Sequence, residues 1–371
     1  MKIAFVSDAI YPYNKGGKEK RLYELSTRLA RLGHDVHIYT MHWWKTAETV
    51  RTEDGVHLHA LCKRYNLYHK DRRSIKEGVL FGAACLKLLT ATFDILDVDH
   101  MPFFPVFSTW LVCKLRGKKL YGTWHEALSL SDWVAYMGKT GYVAAAIEAL
   151  STRLPYCITA ASSHTSHLLV QQHKRSRNVA VVASGIDTPV ISRIQPANVP
   201  CDILYVGRLV KDKHVDELIR AMTHVTQQYP HAICIIIGQG TEQEQLKRLT
   251  RQLNLSKQVR FLQPRKSAEE VYAYMKRAKV FVLPSVREGF GIVALEALSC
   301  GTPVVTVDSP ANATKDLIVN GKTGTIVDLD EQQIADAIAA WIKTPKKSLP
   351  AQLTAYDWQT LALQQVAVYT T

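Results

Sequence analysis

The sequence predicts two α/β domains, each a doubly wound parallel sheet with helices on its faces. Short apolar runs alternate with segments whose apolar residues recur every three or four positions, as in strands joined by crossover helices. A length of 371 residues suits two domains. Residues 186–200 hold three prolines and little periodicity, so we predict a first domain over 1–185, a linker over 186–200 and a second domain over 201–355.

The first series opens with an apolar strand at 2–7, followed by a loop with a pair of glycines. Leucines spaced by three and four positions then form a helical stripe over 18–32, and Gly33 ends it. The later elements of this half are strands at 36–40, 94–98, 119–123, 156–160 and 178–182, with a helix at 142–152.

The second series alternates more regularly. Its predicted strands lie at 203–206, 232–237, 259–262, 280–284 and 303–307, and its helices at 215–228, 242–253, 268–276 and 290–298. A last apolar pattern around Trp358 predicts a helix over 356–369. In sheets of this kind, ligands bind at the carboxyl ends of the strands, so the loops after the strands are where functional residues are expected.

The charge of the chain is uneven. The net charge is +13, from 46 Lys and Arg against 33 Asp and Glu, and the first 198 residues hold +10 of it. An apolar fraction of 47% and a charged fraction of 21% exclude a mainly disordered or fibrous chain. The positive excess predicts that the first half meets something anionic: a phosphorylated substrate, a membrane surface or a nucleic acid.

The cysteines and the hydropathy pattern predict a cytoplasmic protein. The seven cysteines form no C-x-x-C pair and their odd number excludes a complete disulfide framework, so reduced thiols are expected. No signal peptide is recognised, and charged residues interrupt the apolar stretch 79–98, so no transmembrane span is predicted. Peripheral attachment to the cytosolic face of a membrane stays open.

The most specific segment of the chain is Val282–Val305. Glu288 stands directly before a Gly-Phe-Gly turn that follows a predicted strand, and Glu296 lies eight residues further on. The turn opens a helix whose unpaired N–H groups can bind phosphate, and Glu296 falls two turns along it on nearly the same face. This arrangement suits a ligand with hydroxyl groups at one end and phosphate in its middle.

The segment resembles the donor-binding signature of the retaining GT-B glycosyltransferases of family four. Four further motifs resemble that family and stand in its order: the loop Pro12–Gly17, Gly122–His125, Ser184–Asp187, and Tyr205–Arg208 followed by Lys213. The resemblance spans nearly the whole chain. It implies the GT-B fold, two Rossmann-like domains facing across a cleft, with the C-terminal helix over 356–371 crossing back to the first domain.

The resemblance also implies roles for particular residues. Arg208 and Lys213 would offset the charge of the leaving diphosphate, as a guanidinium fork and a point charge can. Glu288 would bind sugar hydroxyls, Glu296 the ribose hydroxyls, and His125 would act toward the transferred sugar. The predicted catalytic residues are His125, Arg208, Lys213 and Glu288. The predicted donor-binding residues are Gly16, Gly17, Gly207, Arg208, Lys213, Arg265, Glu288, Gly289, Phe290, Gly291, Ile292 and Glu296.

The implied reaction is transfer of a hexosyl unit from a nucleotide diphosphate sugar to an acceptor hydroxyl, with retention and without metal or cofactor. A double displacement would need a carboxylate at the anomeric carbon, for which Glu126 is the one residue we can nominate. Ser309–Asn312 and Gln263–Pro264 depart from the family pattern near the donor site. The donor therefore stays open, with UDP- or GDP-linked sugars favoured over ADP-linked ones, and so does the acceptor: a glycan, a lipid-linked acceptor or a small molecule.

Three other functions have partial support in the sequence. A nucleotide-sugar epimerase on the same fold needs no acceptor, and the fold alone does not exclude it. A nucleic-acid-binding protein would need basic residues interleaved with aromatic ones, and only 63–76 shows this, so no nucleic-acid partner is predicted. A metal-dependent transferase could use a D-x-D motif, but Asp97–Asp99 and Asp328–Asp330 are no more than 18 Asp residues produce by chance.

The basic first half predicts a second partner, an anionic membrane surface. The segments Lys63–Lys76 and Lys114–Lys119 carry the densest positive charge. Each basic residue near an anionic membrane contributes about 1 kcal/mol of binding. They could hold the enzyme close to a lipid-linked or phosphorylated acceptor.

Overall fold

The computed structural model describes residues 1–69, 72–171, 178–265, 267–345 and 351–371. The chain forms two compact units, one of Met1–Ser184 with Trp358–Thr371 and one of Gly185–Asp357. Each unit is built around a parallel sheet.

The first unit contains alternating strands and helices, with a short hairpin inserted after its second strand. Its strands are β1 (Lys2–Val6), β2 (Asp35–His42), β3 (Val50–Glu53), β4 (Val56–Lys63), β5 (Tyr68–His69), β6 (Arg72–Arg73), β7 (Ile95–Asp99), β8 (Leu120–Trp124), β9 (Cys157–Ala160) and β10 (Val179–Val181). Its helices are α1 (Gly17–Arg31), α2 (Ile75–Ala84), α3 (Phe104–Leu115), α4 (Leu130–Met137), α5 (Gly141–Ser151), α6 (Ser163–Gln171) and the last helix of the chain, α13 (Trp358–Thr370), with short 3₁₀ turns at Cys85–Leu89 and Gly138–Thr140.

The main sheet of this unit has the strand order β10-β9-β8-β7-β1-β2-β4-β3. All its neighbours are parallel except β3, which pairs antiparallel with β4 at one edge. The central strands are buried on both faces, which explains why they read as continuous apolar runs. The β3–β4 hairpin was not predicted, although Asp54 and Gly55, both with positive φ, form the Asp-Gly turn typical of hairpins.

The C-terminal helix α13 packs on the first unit, as the fold prediction required. Trp358 is fully buried, and the Tyr369 hydroxyl donates a 2.6 Å hydrogen bond to Asp97 Oδ2. Thr123 Oγ1 donates to the other oxygen of Asp97. Burial raises the pKa of Asp97 to about 6, against the effect of these two hydrogen bonds. Asp97 thus joins the end of the chain to a central strand.

The second unit follows the predicted alternation closely. Its strands are β11 (Ile203–Val206), β12 (Cys234–Ile237), β13 (Val259–Leu262), β14 (Val280–Leu283), β15 (Arg287–Glu288), β16 (Val304–Val307), β17 (Ala311–Asn312) and β18 (Gly324–Val327). Its helices are α7 (Thr188–Arg193), α8 (Val215–Gln228), α9 (Gln243–Gln252), α10 (Ala268–Arg277), α11 (Ile292–Ser299) and α12 (Glu331–Lys343), with 3₁₀ turns at Lys211–Lys213, Ala313–Leu317 and Ala351–Tyr356.

Its main sheet is parallel throughout, with the order β13-β12-β11-β14-β16-β18, and β15 and β17 form a separate parallel pair. The segment predicted as a linker, 186–200, lies in this unit and contains α7. The Asp187 carboxylate accepts a hydrogen bond from Val190 N and caps this helix, and Pro189 occupies its first turn, where proline is tolerated. Within the described residues, no helix has the length and apolarity that crossing a membrane requires.

Candidate active site

Two predicted residues from distant motifs meet in the second unit. Lys213 follows β11, and Glu288 lies in β15, shortly after β14. Because β11 and β14 are parallel neighbours, their carboxyl ends lie at the same edge of the sheet. Lys213 Nζ is 2.7 Å from Glu288 Oε1, and both side chains are more than four-fifths buried. The structure therefore brings a fixed cation and a carboxylate together at the edge where a ligand is expected.

The loop after β11 is held by close backbone packing. A Cβ atom on Gly238 would lie 1.9 Å from the carbonyl oxygen of Gly207, and only glycine allows that approach. The Tyr205 hydroxyl donates a 2.9 Å hydrogen bond to the carbonyl oxygen of Arg208. Arg208 itself is exposed. The loop is fixed while its guanidinium group remains accessible to a ligand.

The turn Gly289–Ile292 opens helix α11 as predicted. Gly291 caps the helix with a φ of 81°, and a Cβ atom there would lie 2.1 Å from Thr314 Oγ1, so the turn needs glycine for conformation and for space. The Phe290 ring is buried and lies 5.9 Å from the ring of Tyr356. The first N–H groups of α11 have no partner within the helix and can bind an anion.

Glu296 and Arg265 complete the predicted donor set. Glu296 lies in α11, is nearly buried, and accepts a 3.1 Å hydrogen bond from the Tyr272 hydroxyl of helix α10. The Arg265 guanidinium lies 5.3 Å from the centre of the Tyr274 ring. Lys266, the next residue, lies outside the described residues.

The departure from the family pattern at Ser309–Asn312 has a structural role. Asn312 is fully buried and pairs with Glu288 in the β15–β17 ladder. Its Nδ2 atom donates hydrogen bonds to Thr306 Oγ1 and to the carbonyl of Val307, at 3.0 and 2.8 Å. These hydrogen bonds fix Asn312 in β17, the strand that pairs with β15 and so sets the position of Glu288.

In the first unit, His125 belongs to a chain of charged groups. It follows β8, and its Nε2 atom is 2.9 Å from Oδ1 of Asp99 at the end of β7. Lys18 Nζ lies 3.4 Å from the other oxygen of Asp99 and 2.6 Å from Oδ1 of Asp8, which follows β1. Strands β1, β7 and β8 are parallel neighbours, so these groups meet at one sheet edge.

The ionisation of Asp99 determines which nitrogen of His125 carries the proton. Burial alone would raise the pKa of Asp99, but the charge of Lys18 and the hydrogen bond from His125 more than offset it and hold the pKa well below its usual range. An ionised carboxylate only accepts hydrogen bonds, so Nε2 of His125 is the donor. In the tautomer that carries this proton, Nδ1 is the acceptor.

The histidine that directly follows Asp99 in the chain, His100, is neutral. His100 is buried, stacks on Trp124 at 5.4 Å, and its Nδ1 atom lies 3.4 Å from the backbone N of His125. Burial, with the neighbouring His125, holds the pKa of His100 well below its usual value. It therefore adds a fixed hydrogen-bond acceptor behind His125 and no charge.

A second cation and a buried acid lie on the other side of Asp8. Arg73 donates to Oδ2 of Asp8, and also, at 3.3 Å, to the carbonyl oxygen of Met101. Glu77 of α2 is buried, and neither of its carboxyl oxygens has a hydrogen-bond partner among the described residues. Burial, reinforced by the charge of Asp8, raises the pKa of Glu77 to about 8, and Arg73 and Lys18 offset this only in part. Glu77 is therefore mostly protonated at neutral pH.

Replacing Glu77 by glutamine is expected to stabilise the protein in a pH-dependent way. Between about pH 5 and pH 8 the unfolded carboxyl is ionised while the folded one keeps its proton, so the wild type loses stability as pH rises through this range. Glutamine does not ionise, so the variant does not lose stability over this pH range. The gain should be near zero at pH 4.5 and reach about 4 kcal/mol at pH 8, because each unit of pKa difference corresponds to about 1.4 kcal/mol. Denaturant unfolding at both pH values measures it, with exposed Glu48→Gln as control, and an equal effect of Glu77→Gln at both pH values would contradict the assignment.

Several of these residues were missed by the sequence analysis. Asp97–Asp99 was considered only as a metal motif and set aside as chance, yet Asp99 contacts His125. Asp8, Lys18 and His100 were not nominated, although a polar residue directly after an apolar strand is a usable signal. In the part of the chain that the structure describes, no group of three or more His, Cys, Asp and Glu residues is arranged to hold a metal ion.

Gly16 and Gly17 lie at the start of helix α1, where Gly16 caps it in an extended conformation. The atoms nearest to a Cβ atom on Gly16 would be those of the flexible side chain of Glu19.

The basic segment Lys63–Lys76 is less available to an anionic partner than predicted, since Arg73 is paired with Asp8. Lys70 and the side chain of Arg72 lie outside the described residues.

Known families match both halves of the chain. A family model described as Glycosyltransferase Family 4 matches residues 15–189, and one described as Glycosyl transferases group 1 matches residues 192–357. Glycogen synthase of Mycobacterium tuberculosis (strain CDC 1551 / Oshkosh) is 27% identical over 396 aligned positions, which cover 100% of this chain and 94% of the relative. A D-inositol 3-phosphate glycosyltransferase of Corynebacterium diphtheriae is 26% identical over 363 positions, covering 88% and 83%.

Among solved structures, the sucrose-phosphate synthase from Thermosynechococcus elongatus superposes with a TM-score of 0.81 at 20% identity, covering 100% of this chain and 98% of that one. A likeness at this identity shows the fold, and it confirms the predicted fold class.

Proposed function

Because the chain is a GT-B glycosyltransferase of the family-four type, we propose that it is a retaining hexosyltransferase that uses a nucleotide diphosphate sugar. The donor would be UDP- or GDP-linked, and the acceptor a hydroxyl group. The observation that carries the proposal is the 2.7 Å pair of Lys213 and Glu288. It joins a cation suited to a diphosphate with a carboxylate suited to sugar hydroxyls, at the sheet edge where ligands bind.

The second unit would hold the donor. Departure of the nucleotide diphosphate places negative charge on its phosphate oxygens as the bond to the sugar breaks. Lys213 and the accessible guanidinium of Arg208 would stabilise that charge, together with the N–H groups at the start of α11. These fixed groups can take the part that a metal ion takes elsewhere, so we propose a metal-independent reaction.

For the stereochemistry we propose attack by the acceptor on the face that the leaving group departs from, with a β-phosphate oxygen taking the acceptor proton. This scheme needs no protein nucleophile. His125 would act toward the transferred sugar, with its ring orientation fixed by Asp99. Trapping of a covalent sugar–enzyme intermediate on Glu126 would instead favour a double displacement.

We propose a lipid-linked or phosphorylated acceptor, used at the cytosolic face of a membrane. The support is the charge of the chain, since the first 198 residues hold +10 of the net +13.

A nucleotide-sugar epimerase remains the alternative function. Incubation with labelled donor and no acceptor separates the two, because only an epimerase would convert the donor into its isomer.

The first test is a thermal-shift screen with UDP, GDP and ADP and their sugars, in EDTA. A nucleotide that binds only the folded protein stabilises it by about 2.7 kcal/mol at 100 times its Kd, which corresponds to a rise of a few degrees in Tm. We expect the shift for one nucleotide, and its loss in Glu296→Gln, which keeps an acceptor for Tyr272 but not the carboxylate. Exposed Glu331→Gln on α12 is the control. No shift with any nucleotide up to millimolar concentration would overturn the donor assignment.

A further inference from the structure

Large apolar side chains are exposed mainly on the first unit. Among the described residues of the second unit, only Val319 and Leu329 are of this kind, and each is barely exposed, at 37%. In the first unit the largest group lies on helix α2, the turn that follows it and helix α3, with Leu115 at 66% and Ile75 at 63%, and a smaller group lies on α4 and α5. The exposed apolar side chains of the largest group are those of Ile75, Val79, Leu86, Leu89, Leu111 and Leu115.

These side chains form two neighbouring stripes. Ile75 and Val79 are four residues apart on α2, and Leu111 and Leu115 are four apart on α3, which places each pair on one face of its helix. Leu86 lies in the 3₁₀ turn that follows α2. The helices themselves are in close contact, since a Cβ atom on Gly82 would lie 2.9 Å from Cβ of Phe104 and 3.0 Å from its backbone. We call this surface, formed by the exposed sides of residues 75–89 and 104–118, the α2–α3 face.

The α2–α3 face carries charge of one sign. Lys76, Lys114 and Lys118 are exposed on it. The one acidic residue within 75–89 and 104–118 is Glu77, which is buried and mostly protonated at neutral pH. Lys114 Nζ lies 4.9 Å from the centre of the Trp110 ring, so its stem covers apolar surface while its charge stays outside.

We propose that the α2–α3 face docks on a bilayer rich in anionic phospholipid. Helices that lie in the membrane interface combine an apolar side with lysines and few acids, which is the composition of this face. A protein partner is less suited, because the centres of protein interfaces favour aromatic residues and arginine and are depleted in lysine. The link to a lipid-linked acceptor rests on the proposed function. The docking of the α2–α3 face on a bilayer does not depend on that function.

The α2–α3 face differs from the surface that the sequence suggested. Of the two predicted basic segments, Lys114–Lys119 contributes Lys114 and Lys118, and Lys63–Lys76 contributes its last residue, Lys76. Elsewhere in Lys63–Lys76, Lys63 and Arg64 lie over the rings of Tyr65 and Trp43, and Arg73 is paired with Asp8. Helix α3 also begins beside the His125 cluster, because Lys18 and Arg73 both donate to the carbonyl of Met101, three residues before Phe104. Lys114 and Leu115 lie at the other end of α3, about 15 Å along its axis from Phe104, so a lipid headgroup held there would lie one helix length from the His125 cluster.

The test is co-sedimentation with vesicles of phosphatidylcholine alone and with 30 mol% phosphatidylglycerol. We expect the wild type to bind the anionic vesicles at least tenfold better, and the preference to fall as salt rises. Lys114→Gln with Lys118→Gln should weaken binding to the anionic vesicles by about 30-fold, and Leu111→Ser with Leu115→Ser by about tenfold or more. The matched controls are Leu363→Ser, equally exposed on α13, and Lys257→Gln with Lys322→Gln in the second unit.

The docking proposal would be overturned if the wild type bound both kinds of vesicle equally or bound neither. It would also be overturned if the lysine and leucine variants of the α2–α3 face both bound like the wild type. Concentration-dependent self-association of the wild type that Leu111→Ser with Leu115→Ser abolishes would overturn it as well, since a second copy would then cover the face. The nucleotide thermal shift, measured on the same variants without vesicles, reports on the proposed function separately. A retained shift with failed docking leaves the donor assignment intact, and docking without any shift leaves the membrane surface intact.

Discussion

Lys213→Ala is expected to lower the rate of sugar transfer by about 10²–10³-fold, the usual cost of removing one group that stabilises developing charge. The Lys213 ammonium is mostly buried at the carboxyl edge of the second sheet and lies 2.7 Å from Glu288. Its removal takes one positive charge from the leaving diphosphate and leaves a mostly buried carboxylate without its partner. Both effects act on the same step, so kcat should fall more than the affinity for the donor.

Lys211→Ala is the matched control for this prediction. Lys211 lies in the same 3₁₀ turn, two residues away, but its side chain is exposed. It should keep the wild-type rate within about twofold, as exposed substitutions usually do. Initial rates with saturating donor, together with a thermal melt of each variant, make the comparison. A Lys213→Ala variant that folds and transfers sugar at more than a tenth of the wild-type rate would remove Lys213 from the catalytic set.

Local pattern was enough to predict five of the six strands of the second sheet, whereas β18 and the helix that follows it, α12, were not predicted. Residues 203–206, 215–228 and 259–262 were predicted with the bounds that the structure has, because apolar runs and helical stripes there are uninterrupted. The helix α7 was missed because Pro189 was interpreted as a breaker, whereas it lies in the first turn of a helix capped by Asp187. The position of a proline, rather than its presence, distinguishes a non-helical linker from a helix that has proline in its first turn.

The candidate site shows where sequence reasoning stops. The turn Gly289–Ile292, Lys213 and Glu288 were nominated because they lie in short motifs that resemble those of the family. Asp99 and Lys18 were not, since the contact of Asp99 with His125 and that of Lys18 with Asp99 depend on β7 lying between β1 and β8, and strand order is not contained in a local pattern. Glu77 was unpredictable for the same reason, because its raised pKa comes from burial against groups far away in the chain.

Asp99→Asn is expected to reduce transfer by about 10²-fold while leaving nucleotide binding unchanged. The ionised carboxylate of Asp99 accepts from Nε2 of His125 at 2.9 Å and so fixes one tautomer and one ring orientation. An asparagine can turn its NH₂ group toward the same nitrogen and favour the opposite tautomer, which changes what His125 presents to the sugar. A wrong tautomer removes a positioned proton donor or acceptor, an effect of 10²–10⁴-fold where that group takes part in the reaction.

Nitrogen-15 chemical shifts of the His125 ring separate this positioning role from a merely structural one. In the wild type the proton should be found on Nε2, and in Asp99→Asn on Nδ1 or on a mixture of both, with the signal assigned by its loss in His125→Asn. Asp94→Asn is the matched control, since Asp94 is exposed and lies at the opposite end of the same strand from Asp99, where its carboxylate accepts a hydrogen bond from the backbone N of Lys2. An unchanged tautomer in Asp99→Asn, or a changed tautomer with transfer within threefold of the wild type, would show that Asp99 does not act through His125. If the tautomer and the rate change together while the nucleotide thermal shift stays constant, the charged cluster of the first unit acts on transfer and not on donor binding.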